Sequence, residues 1–270
     1  MSQSKRVLVA DDNRVNLMLL QQMLRSAGYD VVTAEDGEEA LEAIQRTHPD
    51  VVLLDIMMPK LDGLEVLQHL RADPELAATP VILLSAVDDF ETVARALELS
   101  AWDFLSKPYR LAQVTAAVES ALAAEEEAAP REAGEGTPHG PVPGFRAARQ
   151  ALEAARRRSQ EDKKDFSCIT LAVQRNAGPL GESRFDWVQK QTRRVDEALA
   201  GHGHAYGLGA GGSVCVLPGH DAEEAAALVG KIRESLGKDA SAYDYGLAVY
   251  NPDVSEGMIA RAIKDASPLA

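Results

Sequence analysis

With 270 residues, 46% of them hydrophobic and 26% charged, the chain is long enough for two domains and can build apolar cores, yet no run approaches the roughly 18 apolar residues of a membrane span. Its net charge of −14 comes from 42 acidic against 28 basic residues, and the excess lies before residue 145, so a polyanion such as DNA is repelled by the first half and gets no general attraction from the neutral second half. Two cysteines, Cys168 and Cys215, each inside an apolar strand-like run, cannot supply a disulfide scaffold or a cysteine-rich zinc site; with no signal-peptide pattern ahead of Asp11, a reducing cytoplasm is the expected location.

The first half alternates short apolar runs with amphipathic segments. Arg6–Ala10 (RVLVA), Asp30–Ala34 (DVVTA), Asp50–Leu54 (DVVLL), Pro80–Leu84 (PVILL) and Trp102–Leu105 (WDFL) read as five strands. They are continuously apolar, the pattern of strands buried on both faces of a parallel sheet. Between them, Val15 to Leu24 places Val15, Met18, Leu19 and Met23 on one helical face, and Glu38 to Arg46 does so with Ala40, Leu41 and Ile44. Gly28 ends the first helix as a C-terminal cap. Five βα units with right-handed crossovers predict a doubly wound α/β domain over residues 1–123.

Residues 124–144 combine an acidic cluster with prolines and glycines and show no apolar period, so they predict a flexible tether. Residues 145–270 then read helix, strand, helix, hairpin, helix, strand, helix. The segments are Phe145–Lys164, Phe166–Val173, a helix opening at Ser183 with a capping box completed by Asp186, strands Ala205–Leu208 and Ser213–Leu217, then Ala222–Leu236, Tyr245–Tyr250 and Ser255–Ala266. In the helix after Ser183, Phe185, Val188, Thr192, Val195 and Leu199 recur at helical spacing. This order predicts a smaller α+β domain.

The polar residues that carry chemistry follow the strands of the first half. Asp11 and Asp12 follow the first strand, Asp55 the third, Ser85 the fourth and Lys107 the fifth. Ligands of open parallel sheets bind beyond the carboxyl ends of the strands, so five distant positions are expected to meet at one mouth. Three carboxylates gathered there repel one another unless a hard cation sits among them, and oxygen-only donors favour Mg²⁺. That set suits phosphoryl transfer, with Asp55 as the nucleophile that becomes an acyl phosphate. Asp12 and Asp55 are expected to bind the metal, Asp11 to act partly through water, and the carbonyl of Met57 to complete the sphere. Lys107 and the Ser85 hydroxyl would each hold a phosphoryl oxygen.

The stretches VLVADDNRVN, VVLLDIMMPKLDGLEVL, PVILLSA and DFLSKPY make residues 5–122 resemble the receiver domain of bacterial two-component response regulators. The resemblance implies a flavodoxin-like fold with parallel sheet order 2-1-3-4-5, Mg²⁺ dependence, and a histidine kinase or phosphotransfer protein as phosphoryl donor. It also implies a switch in which Ser85 moves toward the phosphoryl group while Phe104 rotates inward. A phosphorylation-dependent homodimer would be compatible with it. Trp102 departs from the usual pattern by its bulk and is expected to pack at the surface or anchor an interface.

The second half resembles a diguanylate cyclase (GGDEF) domain over about residues 145–267, through its layout, the Leu217-Pro218-Gly219 that closes the hairpin, and YGLAVYNPD. The resemblance implies a nucleotidyl-cyclase-like fold and places Gly209-Ala210-Gly211-Gly212-Ser213 at the family's signature. It puts Ala172 and Gln174 at the metal-binding acids, and Ala200 and Gly203 at the product-inhibition motif. Two-metal cyclisation needs carboxylates at such positions, so the domain is expected to be catalytically inactive and to act by binding an unknown protein partner. The alternatives are a divergent cyclase using Asp186 or Asp196, or a sensor that binds GTP or a cyclic dinucleotide without turnover.

Three further patterns weigh less. Gly207 to Gly212 has G-x-G-x-x-G spacing, but a strand follows it rather than the helix that dinucleotide binding requires. His202, His204 and His220 could ligate a metal, though polar loop histidines are commoner. Arg156-Arg157-Arg158 and Lys163-Lys164 stand beside Glu153, Glu161 and Asp162 and read as a solvated helix face.

Overall fold

A computed structural model of the chain describes residues 4–85, 90–107, 111–126, 144–174, 177, 184–208 and 211–250. Contacts divide it into two units, Met1–Val87 with Leu99–Pro130, and Asp88–Glu98 with Arg131–Ala270.

The first sheet holds β1 (Arg6–Ala10), β2 (Asp30–Ala34), β3 (Val51–Asp55), β4 (Val81–Ser85) and β5 (Asp103–Ser106). All neighbours are parallel and the order is β2-β1-β3-β4-β5, the doubly wound, flavodoxin-like arrangement expected from the sequence. The helices that alternate with them are α1 (Arg14–Ser26), α2 (Gly37–Thr47), α3 (Gly63–Ala72), α4 (Phe90–Glu98) and α5 (Leu111–Glu126); α4 groups with the second unit. On one face of the sheet, Val7, Val9, Val51, Leu53, Ile82 and Leu84 pack with Leu17, Leu20 and Leu24 of α1 and with Val114, Ala117, Val118 and Ala121 of α5. The alternate strand residues Leu8, Val52, Leu54 and Leu83 are equally buried, which is why these strands read as unbroken apolar runs.

Side-chain oxygens start the helices. Asn13 caps α1, accepting from the Val15 and Asn16 N–H groups, Asp36 caps α2, and Asp62 with Glu65 forms a capping box on α3. Gly28 follows α1 at φ +94°, the left-handed backbone a C-terminal cap needs.

Three details differ from the sequence expectation. The stripe of α1 that faces the core is Leu17, Leu20 and Leu24, while Val15, Met18 and Leu19 are 73%, 70% and 55% exposed. The helix is apolar on nearly all sides, so periodicity allowed two stripes and only docking on the sheet selects one. Strand β5 begins at Asp103 rather than Trp102, and Trp102 is partly buried against the core. Helix α5 runs to Glu126, into the stretch read as tether; residues 127–143 lie outside the described residues.

The second unit has its own sheet, β6 (Phe166–Val173), β7 (His204–Gly207), β8 (Gly212–Leu217) and β9 (Tyr243–Tyr250), in the order β7-β8-β6-β9 and antiparallel throughout. With α7 (Arg184–Ala198) between β6 and β7 and α8 (Ala222–Leu236) between β8 and β9, the topology is two split βαβ units, an α+β fold. A helix, α6 (Phe145–Asp162), precedes them, and a 3₁₀ turn, Gly237–Ala242, leads into β9. Ile169, Leu171, Val173, Cys215 and Leu217 form the core with Val188 and Val195 of α7 and Leu228 and Ile232 of α8.

On α7 the sequence pattern misplaced one aromatic: Phe185 is 51% exposed, and Trp187 is the buried residue, stacked on Tyr243 with ring centroids 5.4 Å apart. Both cysteines are buried free thiols, and burial pushes the Cys168 thiol up to about 12. The expected cap Ser183 and closing helix Ser255–Ala266 lie outside the described residues.

Gly63 opens α3 beside the end of β3, and a Cβ built there stands 2.3 Å from the Asp55 carbonyl oxygen. No side chain fits without moving the strand. Gly63→Ala is expected to cost about 1–3 kcal/mol, read as a lowered urea midpoint for the transition of the first unit.

Candidate functional site

The order β2-β1-β3 reverses direction at β1, so the crevice at the carboxyl ends of β1 and β3 is the topological switch point of this sheet. Asp11 and Asp12 leave β1 there, and Asp55 is the last residue of β3. One carboxylate oxygen from each of the three lies within 4.8 Å of the others. Asp11 and Asp55 are buried and Asp12 is exposed, so the cluster has a closed floor and an open rim.

From beyond β5, Lys107 reaches across this floor. Its Nζ donates to Asp11 Oδ2 at 2.8 Å and to Asp55 Oδ2 at 2.7 Å. Its backbone N–H donates to the Ser85 carbonyl at 2.6 Å, which ties the ends of β4 and β5 together. Ser85 is fully buried at the end of β4, register-paired with Ser106. Phe104, inside β5, is half-buried and paired with Leu83. Met57 is 62% exposed, and its N–H donates to Asp55 Oδ1 at 3.4 Å. Asp11, Asp12, Asp55 and Lys107 therefore meet at one mouth, with Ser85 at the end of the neighbouring β4. Pro108, beside Lys107 in the motif, lies outside the described residues.

The turn between β3 and α3 is held on several sides. Ile56 N–H donates to the Leu84 carbonyl at 3.0 Å, and Gly63 N–H to the Ile56 carbonyl at 2.9 Å. Lys60, at φ +68°, pairs with Asp36 at 2.7 Å and Glu38 at 3.4 Å on the first turn of α2. Sequence reasoning gave no role to Asn16, yet its amide donates to both oxygens of Asp11 at 3.1 Å, and the Asn13 N–H adds a third bond at 2.9 Å. An asparagine just ahead of an amphipathic run is the signal that could have marked Asn13 as a helix cap. Nothing local marks Asn16, because its contact depends on how α1 leaves β1.

Burial pushes the Asp55 carboxyl above the ordinary carboxylate range, opposed by the Lys107 ammonium and reinforced by Asp11. Lys107 is also buried, which disfavours its charge, but its bonds to Asp11 and Asp55 outweigh that and raise it overall. Three carboxylates against one ammonium leave the pocket short of positive charge. Their oxygens supply the donor set of a small hard cation, so the residues fit Mg²⁺.

In the second unit, Ala172 is register-paired with Gly212 on β8 and Asp244 on β9, and Gln174 Nε2 donates to Asp244 Oδ1 at 2.8 Å. Gly212 sits at φ +151°, and a Cβ there stands 2.0 Å from the Leu171 carbonyl oxygen. A carboxylate side chain cannot occupy that position. Asp196 accepts from Ala205 N–H at 2.9 Å and pairs with His204 at 3.3 Å, at the far end of β7 from the hairpin; Gly209 and Ala210 lie outside the described residues.

A family model described as the response regulator receiver domain matches residues 7–119. The chain is 42% identical over 127 residues to the alkaline phosphatase synthesis transcriptional regulatory protein PhoP of Bacillus subtilis, covering 47% of this chain and 52% of that protein. It is 44% identical over 105 residues to the response regulator PleD of Caulobacter vibrioides, covering 39% of this chain and 23% of PleD. The structure of a Francisella response regulator receiver domain is similar at 34% identity and a TM-score of 0.43, covering 45% of this chain and 99% of that one. The chain thus spans about half the length of most curated relatives it matches.

Because folding raises the proton affinity of Asp55, its protonated form carries the stabilisation, which is present below the unfolded carboxylate value and lost as pH rises through the folded value. Asp55→Asn removes that loss. Urea midpoints in metal-free buffer from about pH 3 to about pH 7 should therefore show the variant gaining on the parent chain as pH rises, then running parallel to it; a variant that falls behind would contradict the assignment.

Proposed function

Residues 7–119 are a response regulator receiver domain, and from that premise we propose that the chain is the response regulator of a two-component phosphorelay, switched by phosphorylation of Asp55. One observation carries this reading: three carboxylates converge to within 4.8 Å, with the Lys107 ammonium 2.7 Å from Asp55. An oxygen of Asp55 attacks the phosphorus of a phosphohistidine on a histidine kinase or phosphotransfer protein. The P–N bond breaks, its electrons return to the imidazole, and Asp55 becomes an acyl phosphate. Mg²⁺, held by Asp11, Asp12, Asp55 and the Met57 carbonyl, would offset the charge of the transferring group. Lys107 has three donors and is positioned to turn one of them to a phosphoryl oxygen. The Ser85 hydroxyl takes another, and its movement draws Phe104 inward as the conformational readout. Water attack on the acyl phosphate returns the unmodified carboxylate.

For the second unit we infer a catalytically inactive, GGDEF-like output domain that acts by binding another protein. Its support is the split βαβ topology together with the closed backbone at Gly212, where a signature carboxylate has no room. Of the two carboxylates that a divergent cyclase could recruit, Asp186 lies in the first turn of α7, and Asp196 is occupied at the opposite end of β7. The relatives described as transcriptional regulators match less than half of this chain, and residues 145–270 carry no net charge with which to attract DNA.

Incubation with labelled acetyl phosphate and Mg²⁺ should mark the chain on one residue; Asp55→Asn should lose the label, and chelation of the metal should prevent it. Label persisting in Asp55→Asn would move the acceptor elsewhere. Lys107→Ala is expected to accept phosphate but to show none of the spectral change that follows in the parent chain. Incubation with GTP and Mg²⁺ should yield no cyclic dinucleotide, and product formation would overturn the inactive-output reading.

A further inference from the structure

Two turns at one end of the second sheet bring a pair of imidazoles together. His202 lies between α7 and β7, and His220 between β8 and α8. Since His204 pairs with Val216 across β7 and β8, both turns lie at the end opposite the glycine-rich hairpin. Their backbones are fixed. A Cβ on Gly203 would stand 2.2 Å from the Val216 carbonyl oxygen, so the first turn lies tight on the end of β8. His202 N–H donates to the Leu199 carbonyl at 2.8 Å, and the Ser167 hydroxyl donates to the His220 carbonyl at 2.9 Å.

In this setting His202 Nδ1 is 3.1 Å from His220 Nε2, with the ring planes at 72°. His220 Nδ1 is 3.0 Å from the Pro218 carbonyl oxygen. A carbonyl only accepts, so His220 carries its proton on Nδ1 and directs the lone pair of Nε2 at His202. That is how metal-ligating histidines are oriented, one nitrogen donating to a carbonyl while the other is left free to bind.

We propose that His202 and His220 form a binding site for a borderline divalent transition cation, with Zn²⁺ the expected ion, separate from the acidic pocket of the first unit. Imidazole nitrogens suit Zn²⁺, whereas the carboxylate pocket suits Mg²⁺. Two nitrogens 3.1 Å apart, each about 2.0–2.1 Å from a shared zinc, subtend an angle of about 100°, near the tetrahedral value. A small ring rotation turns both lone pairs to that point. The cation replaces the proton shared by the two nitrogens, and His202 carries its own proton on Nε2 instead, so both rings bind as neutral ligands. Among the described residues the acidic triad is the one cluster of three or more ligating side chains, so water completes the sphere here and the site is open and exchangeable. His204 is two residues away but exposed and paired with Asp196, which makes it an internal control.

The test is calorimetric titration of Zn²⁺ into the tag-free full chain, with excess Mg²⁺ present to fill the acidic pocket. One Zn²⁺ per chain should bind the parent, Asp55→Asn and His204→Ala alike, and at least about tenfold more weakly to His202→Ala and His220→Ala. Ring ¹⁵N spectra of the unmutated chain give a readout that needs no folded variant: Zn²⁺ should shift His202 Nδ1 and His220 Nε2 and leave His204 in place. Unchanged affinity in either single variant, shifts confined to other histidines, or no Zn²⁺ binding by the parent chain would overturn the proposal and leave the pair as a hydrogen bond alone.

Discussion

Lys107 between Asp11 and Asp55 is the interaction on which the first unit turns. Two buried carboxylates side by side are unfavourable, because each must give up hydration and each repels the other. The ammonium bonds to both and makes the arrangement tolerable, but one positive charge does not balance the third carboxylate, Asp12, at the rim. The pocket is therefore poised to take up positive charge, and burial pushes the Asp55 carboxyl toward its neutral form. Under the function proposed above, a phosphoryl group arriving with a divalent cation would answer both demands. The surrounding structure serves this tension: Asn13 and Asn16 hold Asp11, and Gly63 lets α3 begin against the Asp55 carbonyl.

The second unit shows the opposite economy. Where a catalytic sheet would open its hairpin to carboxylates, Gly212 closes the backbone onto β6, and Asp244 spends one oxygen on Gln174. Its polar side chains mostly satisfy the fold: Asp221 caps α8, Ser167 ties β6 to the β8–α8 turn, and Thr192 bonds Ser213 across the core. The imidazole pair at the other end stands apart from this pattern, because neither ring caps a helix or bridges strands.

Strand existence in the first unit was legible because parallel strands buried on both faces leave unbroken apolar runs, and polar residues at their ends stand out against them; the sheet order was implied only by the receiver resemblance. Asp11, Asp12, Asp55, Ser85 and Lys107 could be picked out for that reason. The helix faces were less legible. In α1, seven apolar residues crowd two and a half turns, and the choice of Leu17, Leu20 and Leu24 over Val15, Met18 and Leu19 belongs to the sheet beneath. In α7, the periodicity favoured Phe185, but Trp187 stacks on Tyr243, from a strand more than fifty residues away.

By itself, then, the order of residues determined the alternation of elements and the set of acids and base that follow the strands, because these follow from local composition and from the period of burial. The tertiary structure decided how close those groups stand, which of them are buried, and that Asn16 joins them. It also decided that Gly212 excludes a side chain and that His202 meets His220. Each of these depends on distances between segments far apart in the chain, and such distances are set by packing, which no local pattern records.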